Sequence, residues 1–137
     1  MRHVVLDTNI LLDIFVFNDE RALHLKKALF SKTTHFVASQ KTMEEFADVI
    51  SRSHFKLDEQ AQAAILAQWQ SIAQQQDDSN LVAAPWKCQD PDDQIFLDLA
   101  YHLRPATLIS KDNAVLQIAH RAALEDILIS SNYNVLG

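Results

Sequence analysis

Short apolar runs and longer helical patterns alternate along this chain. Val4-Val5-Leu6 is an apolar, β-branched run that predicts a strand buried on both faces. It stops at Asp7-Thr8-Asn9, and a helix-like pattern follows through Phe17. Leu23, Lys26, Lys27 and Phe30 stand at helical spacing and predict a second helix over Glu20 to Phe30. His35-Phe36-Val37-Ala38 predicts the second strand, ending at Ser39. Met43, Phe46, Ala47 and Ile50 mark the next helix by their period of about 3.6 residues. Leu57-Asp58 opens the longest helix, rich in Ala and Gln, running to about Gln76, and Leu81-Val82-Ala83 predicts a third strand. Asp90-Pro91-Asp92-Asp93 reads as a helix start, with Asp as N-cap, Pro at the first position and acids in the first turn. Phe96, Leu99, Ala100 and Leu103 supply that helix's apolar face. Thr107-Leu108-Ile109 predicts the fourth strand, Ala114 to Ala123 a helix, and Ile127-Leu128-Ile129 the fifth strand. Strands alternating with helices predict an α/β domain around a mainly parallel five-stranded sheet.

Composition narrows the chemistry. The only glycine is the last residue, Gly137. A Gly-rich phosphate cradle, a dinucleotide fingerprint and a nucleophile elbow each need glycines where a side chain would clash, so those classes are excluded. At about 100–200 residues per domain, residues 1–137 are expected to form one domain. The single cysteine, Cys88, has no internal disulfide partner and no second thiol for a zinc site, and is read as a buried thiol. The apolar opening run carries Asp7, Asn9 and Asp13, which argues against a signal peptide or membrane span and for a cytoplasmic protein with no membrane partner. The six histidines show no metal-ligand spacing.

The formal net charge of −6 argues against generic affinity for nucleic acid. If four carboxylates form a metal pocket, however, the remainder carries only −6 + 4 = −2. Positions therefore matter more than totals. In open α/β sheets, ligands bind at the carboxyl ends of the strands. Asp7 follows the first strand directly, and Asp112 stands three residues past Ile109. Asp90, Asp92 and Asp93 open the helix that leads into the fourth strand, so three separate stretches can bring acids to one edge. Carboxylates gathered there repel one another and need a counter-charge. Hard divalent cations such as Mg²⁺ or Mn²⁺ supply it, prefer oxygen ligands and assist attack of water on a phosphodiester. Periodicity does not finish the assignment. On a continuous helix Asp92 falls about 30° from the centre of the apolar stripe and Asp93 about 70°. Glu44 and Glu45 flank the Met43–Ile50 stripe on opposite sides, and spacing does not choose between them.

These residues resemble a known family. Val4-Val5-Leu6-Asp7-Thr8-Asn9 is similar to the opening motif of PIN-domain nucleases. Ser39, followed by Glu45-Phe46-Ala47-Asp48-Val49-Ile50, resembles the second element. Asp90-Pro91-Asp92-Asp93, running on to Ala100, resembles the third, and Leu108-Ile109-Ser110-Lys111-Asp112 the fourth. Four motifs in family order cover nearly the whole chain. The resemblance implies a three-layer α/β/α fold and an Mg²⁺- or Mn²⁺-dependent nuclease of single-stranded RNA. The subgroup it resembles is that of bacterial PIN proteins classed as toxins of toxin–antitoxin pairs, which implies a cognate antitoxin and a homodimer. Carried over residue by residue, Asp7, Glu45, Asp93 and Asp112 match the acidic quartet, while Asn9 and Ser110 match supporting polar positions. Asp93 matches because the family acid stands seven residues before the helix alanine, here Ala100, whereas the wheel favours Asp92. One departure is Lys111, where the family often has glycine, and it is expected to bring an ammonium near the metal.

Other residues have plainer readings. Asp90 reads as a cap, and Asp13, Asp48 and Asp98 as solvated or supporting acids. Trp69 reads as core, whereas Trp86 is a candidate for packing or for stacking a base at the pocket rim. Lys26, Lys27, Lys32, Lys41, Arg52, His54 and Lys56 form the one cationic grouping able to guide a phosphate backbone, or a solvated face. The rival to a nuclease is an inert PIN-like module that binds RNA or protein. A phosphoryl-transfer receiver or phosphatase fits less well, because Asn9 stands where an Asp-x-Asp pair needs its second acid.

Overall fold

The computed structural model describes residues 2–136. The elements in chain order are β1 (His3–Leu6), α1 (Thr8–Phe15), α2 (Leu23–Phe30), β2 (His35–Ser39), α3 (Gln40–Ile50) and α4 (Glu59–Ile72). They continue with β3 (Gln74–Gln76), α5 (Gln94–His102), β4 (Ala106–Ile109), α6 (Asn113–Leu116), α7 (Ala119–Ala123) and β5 (Ile127–Ser130). The five strands form one parallel sheet in the order β3-β2-β1-β4-β5. β1 pairs with β4 over its whole length, from His3 opposite Ala106 to Leu6 opposite Ile109.

Alternation along the central strands divides the core in two. Val4 and Leu6 face a cluster with Ile10, Leu25, Phe46 and Trp69, drawn from α1 to α4. Val5 faces the other way, into a cluster with Leu108, Phe96, Val115 and Ala122 that involves α5 to α7. A strand buried on both faces cannot alternate apolar with polar, which is why β1 and β4 read as continuous apolar runs. The result is a three-layer α/β/α arrangement. From β1 the chain moves to β2 on one side, and β4 lies on the other. The carboxyl ends of β1 and β4 therefore flank the point where strand order reverses, the crevice in which such sheets bind ligands.

The third strand is not Leu81–Ala83. Gln74–Gln76 occupies that position at the sheet edge, with Val37 opposite Gln74. An edge strand needs only backbone pairing on one side, so this polar, largely exposed run carries no hydrophobic signal. In the 81–84 segment, backbone amides are instead taken by α5 side chains. Val82 donates to His102 Nδ1 at 3.1 Å and Ala84 to Asp98 Oδ1 at 2.9 Å. Accordingly α4 ends at Ile72 rather than near Gln76. The helix expected over Ala114–Ala123 is two short ones, and α2 is preceded by a 3₁₀ turn over Glu20–Ala22. Among the described residues no helix is long and apolar enough to cross a membrane.

Candidate active site and metal centre

The helix starts at the strand ends bring the acids together. Asp7 directly follows β1 and is the N-cap of α1; its Oδ1 accepts a hydrogen bond from the Asn9 amide at 3.3 Å. Its Oδ2 accepts one from the Ser110 hydroxyl at 2.5 Å. Ser110, the first residue beyond β4, is fully buried, and its Oγ also accepts from the Asp112 amide at 3.0 Å. One hydroxyl thus ties the β1 acid to the loop that carries the β4 acid. Asp112 in turn caps α6 by accepting from the Ala114 amide at 2.9 Å.

The third stretch is the segment leading into α5. Gln94 accepts from the Cys88 amide at 2.7 Å and donates to the Trp86 carbonyl at 2.9 Å, pinning the segment before α5. Asp90 then caps a 3₁₀ turn over Pro91–Asp93 by accepting from the Asp92 amide at 3.0 Å. Asp90, Asp93 and Asp112 each offer a carboxylate oxygen, and these lie within 4.8 Å of one another. Asp7 and Glu45 line the same cleft but stand outside this group. From α3, Glu45 is held by the Thr8 hydroxyl, which donates to its Oε1 at 2.8 Å. The cleft is open to solvent and measures about 490 Å³. A second cleft of about 590 Å³ lies near the amino end of β2 and the end of α4, and among the described residues no carboxylate lines it.

Crowding and burial disturb these acids in one direction. Burial is the main cause for Asp7, opposed by the Ser110 hydrogen bond, and its carboxyl is raised above the usual range. Glu45 is raised by burial as well, against the Thr8 bond and with help from Asp7. Asp93 is pushed up to about 8, first by burial, then by hydrogen bonding to Asp112 in its protonated form and by the charges of its neighbours. Its Oδ2 is buried and has no hydrogen-bond partner among the described residues. An all-oxygen donor set that includes an unpartnered buried carboxylate oxygen fits a hard divalent cation, which would favour the ionised acids. Asp90, Asp93 and Asp112 are the residues placed to hold it.

Where the sequence leaves alternatives open, the structure places the side chains. A continuous helical wheel favours Asp92, but the structure buries Asp93 and leaves Asp92 exposed at the cleft wall. Both acids belong to the 3₁₀ turn, whose roughly 120° step per residue differs from the 100° used for an α-helix. Glu45, and not Glu44, faces the cleft; Glu44 is exposed and accepts from Gln40. Asp90 is a cap as expected, yet it also joins the acid cluster, a second role that capping chemistry conceals. Asn9 lines the cleft. Lys111 does not bring its ammonium into the cleft. It pairs with Asp13 Oδ2 at 2.5 Å, where the Tyr133 hydroxyl also donates. Asp13 is therefore buried rather than solvated, at 4% exposure. Asp98 is a supporting residue, accepting from Ala84 and from Gln94 Nε2. Trp69 is core, and Trp86 is packed edge-on against Tyr101 rather than free to stack a base. The cationic grouping is dispersed: Arg52 lines the acidic cleft, whereas Lys32 lines the cleft at the amino end of β2.

Comparison with known proteins bears on the family and the fold. The family model described as PIN domain matches residues 3–114. A comparison with curated proteins returns no match. Among solved structures, the fold is similar to a chain in the crystal structure of VapBC2 from Rickettsia felis bound to a DNA fragment from their promoter. That likeness has a TM-score of 0.57 at 14% identity, covering 93% of this chain and 96% of the other. With a family match over residues 3–114, most of its length, this chain belongs to the PIN-domain family, a family of nucleases.

Proposed function

We propose that this chain is a divalent-metal-dependent endoribonuclease that hydrolyses single-stranded RNA, and that residues 1–137 act as one catalytic domain. The observation that carries the reading is the meeting of Asp90, Asp93 and Asp112 within 4.8 Å, in an open cleft also lined by Asp7 and Glu45. Structural stability does not call for such a cluster, because mutual repulsion and an unpartnered buried oxygen both cost free energy. When bound, Mg²⁺ or Mn²⁺ supplies the missing counter-charge, lowers the pKa of water and stabilises charge on the attacked phosphate.

Asp7, Glu45, Asp93 and Asp112 are the proposed catalytic carboxylates, with Asp90 joining Asp93 and Asp112 as a ligand. Ser110 orients Asp7 and fixes the Asp112 backbone, and Thr8 aims Glu45. Asn9 and Asp92 complete the polar lining. The family and the fold likeness to a VapBC2 chain support a role as the toxin of a toxin–antitoxin pair. Such a role carries a cognate antitoxin protein as partner, a homodimer as the assembly and the cytoplasm as the location.

The test is cleavage of single-stranded RNA by purified protein with Mn²⁺ or EDTA, wild type beside Asp7→Asn. Cleavage that needs both Mn²⁺ and Asp7 is the expected result. Cleavage by Asp7→Asn at near wild-type rate overturns the proposal. Absence of both cleavage and Mn²⁺ binding leaves the inert-module reading in its place.

A further inference from the structure

One wall of the acidic cleft changes character along its length. Glu45 stands near the acids, and Val49, Arg52 and Phe55 follow it along α3 and the 3₁₀ turn over Ser53–Phe55. Glu45 to Ile50 spans about 7.5 Å of α3 at a helical rise of 1.5 Å per residue, and Arg52 follows in extended backbone before the turn. The wall thus passes from carboxylate to guanidinium and then to aromatic rings. Phe55 is the middle ring of three. The His54 and Phe55 centroids are 4.2 Å apart, and those of Phe55 and Phe17 are 5.9 Å apart. Phe17 leaves the end of α1 with 57% of its surface exposed. His54 is exposed too, so the ladder presents aromatic surface to solvent at both ends.

We infer that the His54–Phe55–Phe17 ladder, together with Arg52, seats the unpaired bases and backbone of the nucleic-acid strand entering the cleft. The inference deepens the nuclease reading and rests on it. Four features select a single strand as the occupant. Phe55 and Arg52 line the same cleft as Asp7 and Asp112, so a chain held by them is led to the acids. Arg52 adds a guanidinium to a cleft otherwise lined by acids, and exposed His54 and Lys56 flank Phe55 in the chain, matching a phosphodiester that approaches from that side. Among the described residues the Arg52 guanidinium pairs with exposed Asp48 alone, at 3.4 Å, a solvent-screened pair that yields readily to phosphate. Every base offers a π-face, but only unpaired bases can stack on a protein ring, and such stacking is sequence-tolerant. Duplex nucleic acid hides those faces and gains nothing from the ladder.

The experiment measures fluorescence polarisation of a labelled RNA dodecamer, single-stranded or annealed to its complement. The protein is the Asp7→Asn parent in Mn²⁺, compared with Phe17→Ala, Phe17→Leu and Phe17→Trp in the same background. Phe17 is exposed, so these replacements leave the core intact. Ala and Leu are expected to weaken single-strand binding about tenfold, from the typical strength of base–aromatic stacking. Trp is expected to bind at least as tightly as the parent, and all four proteins to bind the duplex weakly and alike. Arg52→Gln is expected to lower the salt dependence of single-strand binding by about one phosphate contact. Parent-like binding by Phe17→Leu, equal affinity for the duplex, or no single-strand binding by the parent overturns the inference. Wild-type cleavage with and without Mn²⁺ is measured alongside. Asp7-dependent cleavage with parent-like Phe17→Leu binding refutes the ladder alone. Ring-dependent binding without Asp7-dependent cleavage refutes the nuclease alone.

Discussion

Replacing Asp93 with asparagine removes a charge from the most crowded carboxyl of the cleft while keeping its shape. In the metal-free protein Asp93 lies within 4.8 Å of oxygens on Asp90 and Asp112. Two unit charges at 4.8 Å repel by about 3.5 kcal/mol at an effective dielectric constant of 20 and by about 1 kcal/mol in water. The open cleft lies between these limits, so the variant should be about 1–3 kcal/mol more stable than wild type once Asp93 is ionised. Full displacement of a carboxyl from 3.8 to about 8 would correspond to about 6 kcal/mol, an upper bound that solvent in the cleft reduces. The sign follows from linkage. A carboxyl raised on folding favours the native state below its unfolded value of about 4, and that advantage is lost as pH rises through about 8. The stability gain of Asp93→Asn in EDTA should therefore grow from pH 4 to pH 8 and then level off. Urea unfolding across that range measures it. Saturating Mn²⁺ should reverse the order, because the cation stabilises the wild type through a ligand the variant lacks. A pH-independent difference, or equal Mn²⁺ stabilisation of both proteins, would refute this account of the site.

The hydrogen bonds and ion pair behind the cleft give three further tests. Ser110→Ala should cost about 1.5–3 kcal/mol, the usual worth of a hydrogen bond to a charged group. It should also shift the acid limb of the cleavage pH profile upward, because the serine bond holds the Asp7 carboxyl down; an unmoved limb counts against Asp7 as the titrating group. Lys111→Met leaves buried Asp13 with Tyr133 alone and should cost about 2–3 kcal/mol, with Lys111→Arg recovering most of it in chemical denaturation. Thr8→Val removes the donor that aims Glu45 and should lower kcat about tenfold while the melting temperature falls by only a few degrees. A drop confined to stability would assign Thr8 to the fold alone.

Much of this arrangement was legible in the sequence because burial on both faces leaves a plain signature. Val4-Val5-Leu6 and Thr107-Leu108-Ile109 read as strands, so the residues just beyond them, Asp7 and Ser110 to Asp112, had to lie at one sheet edge. Other features left no such mark. Gln74–Gln76 pairs through its backbone, so its side chains reveal nothing of the strand. The choice between Asp92 and Asp93 depends on a 3₁₀ turn, which a wheel of period 3.6 misplaces. Asp90 looked fully explained as a cap, and its approach to Asp112 depends on how α5 is anchored by Gln94. Asp13 sits on a helix whose spacing permits either exposure or burial. Its partners, Lys111 and Tyr133, are roughly 100 and 120 positions away in sequence, beyond the reach of any local pattern.

The central claim is that the acids converging at the ends of β1 and β4 form a divalent-cation site. Its most direct test is calorimetric titration of metal-free protein with Mn²⁺, comparing wild type, Asp93→Asn, Asp112→Asn and the outward-facing control Glu44→Gln. The account predicts saturable binding to wild type and to Glu44→Gln, weakened at least tenfold in the two aspartate variants. No saturable binding to wild type, or equal affinity in all four proteins, would contradict it.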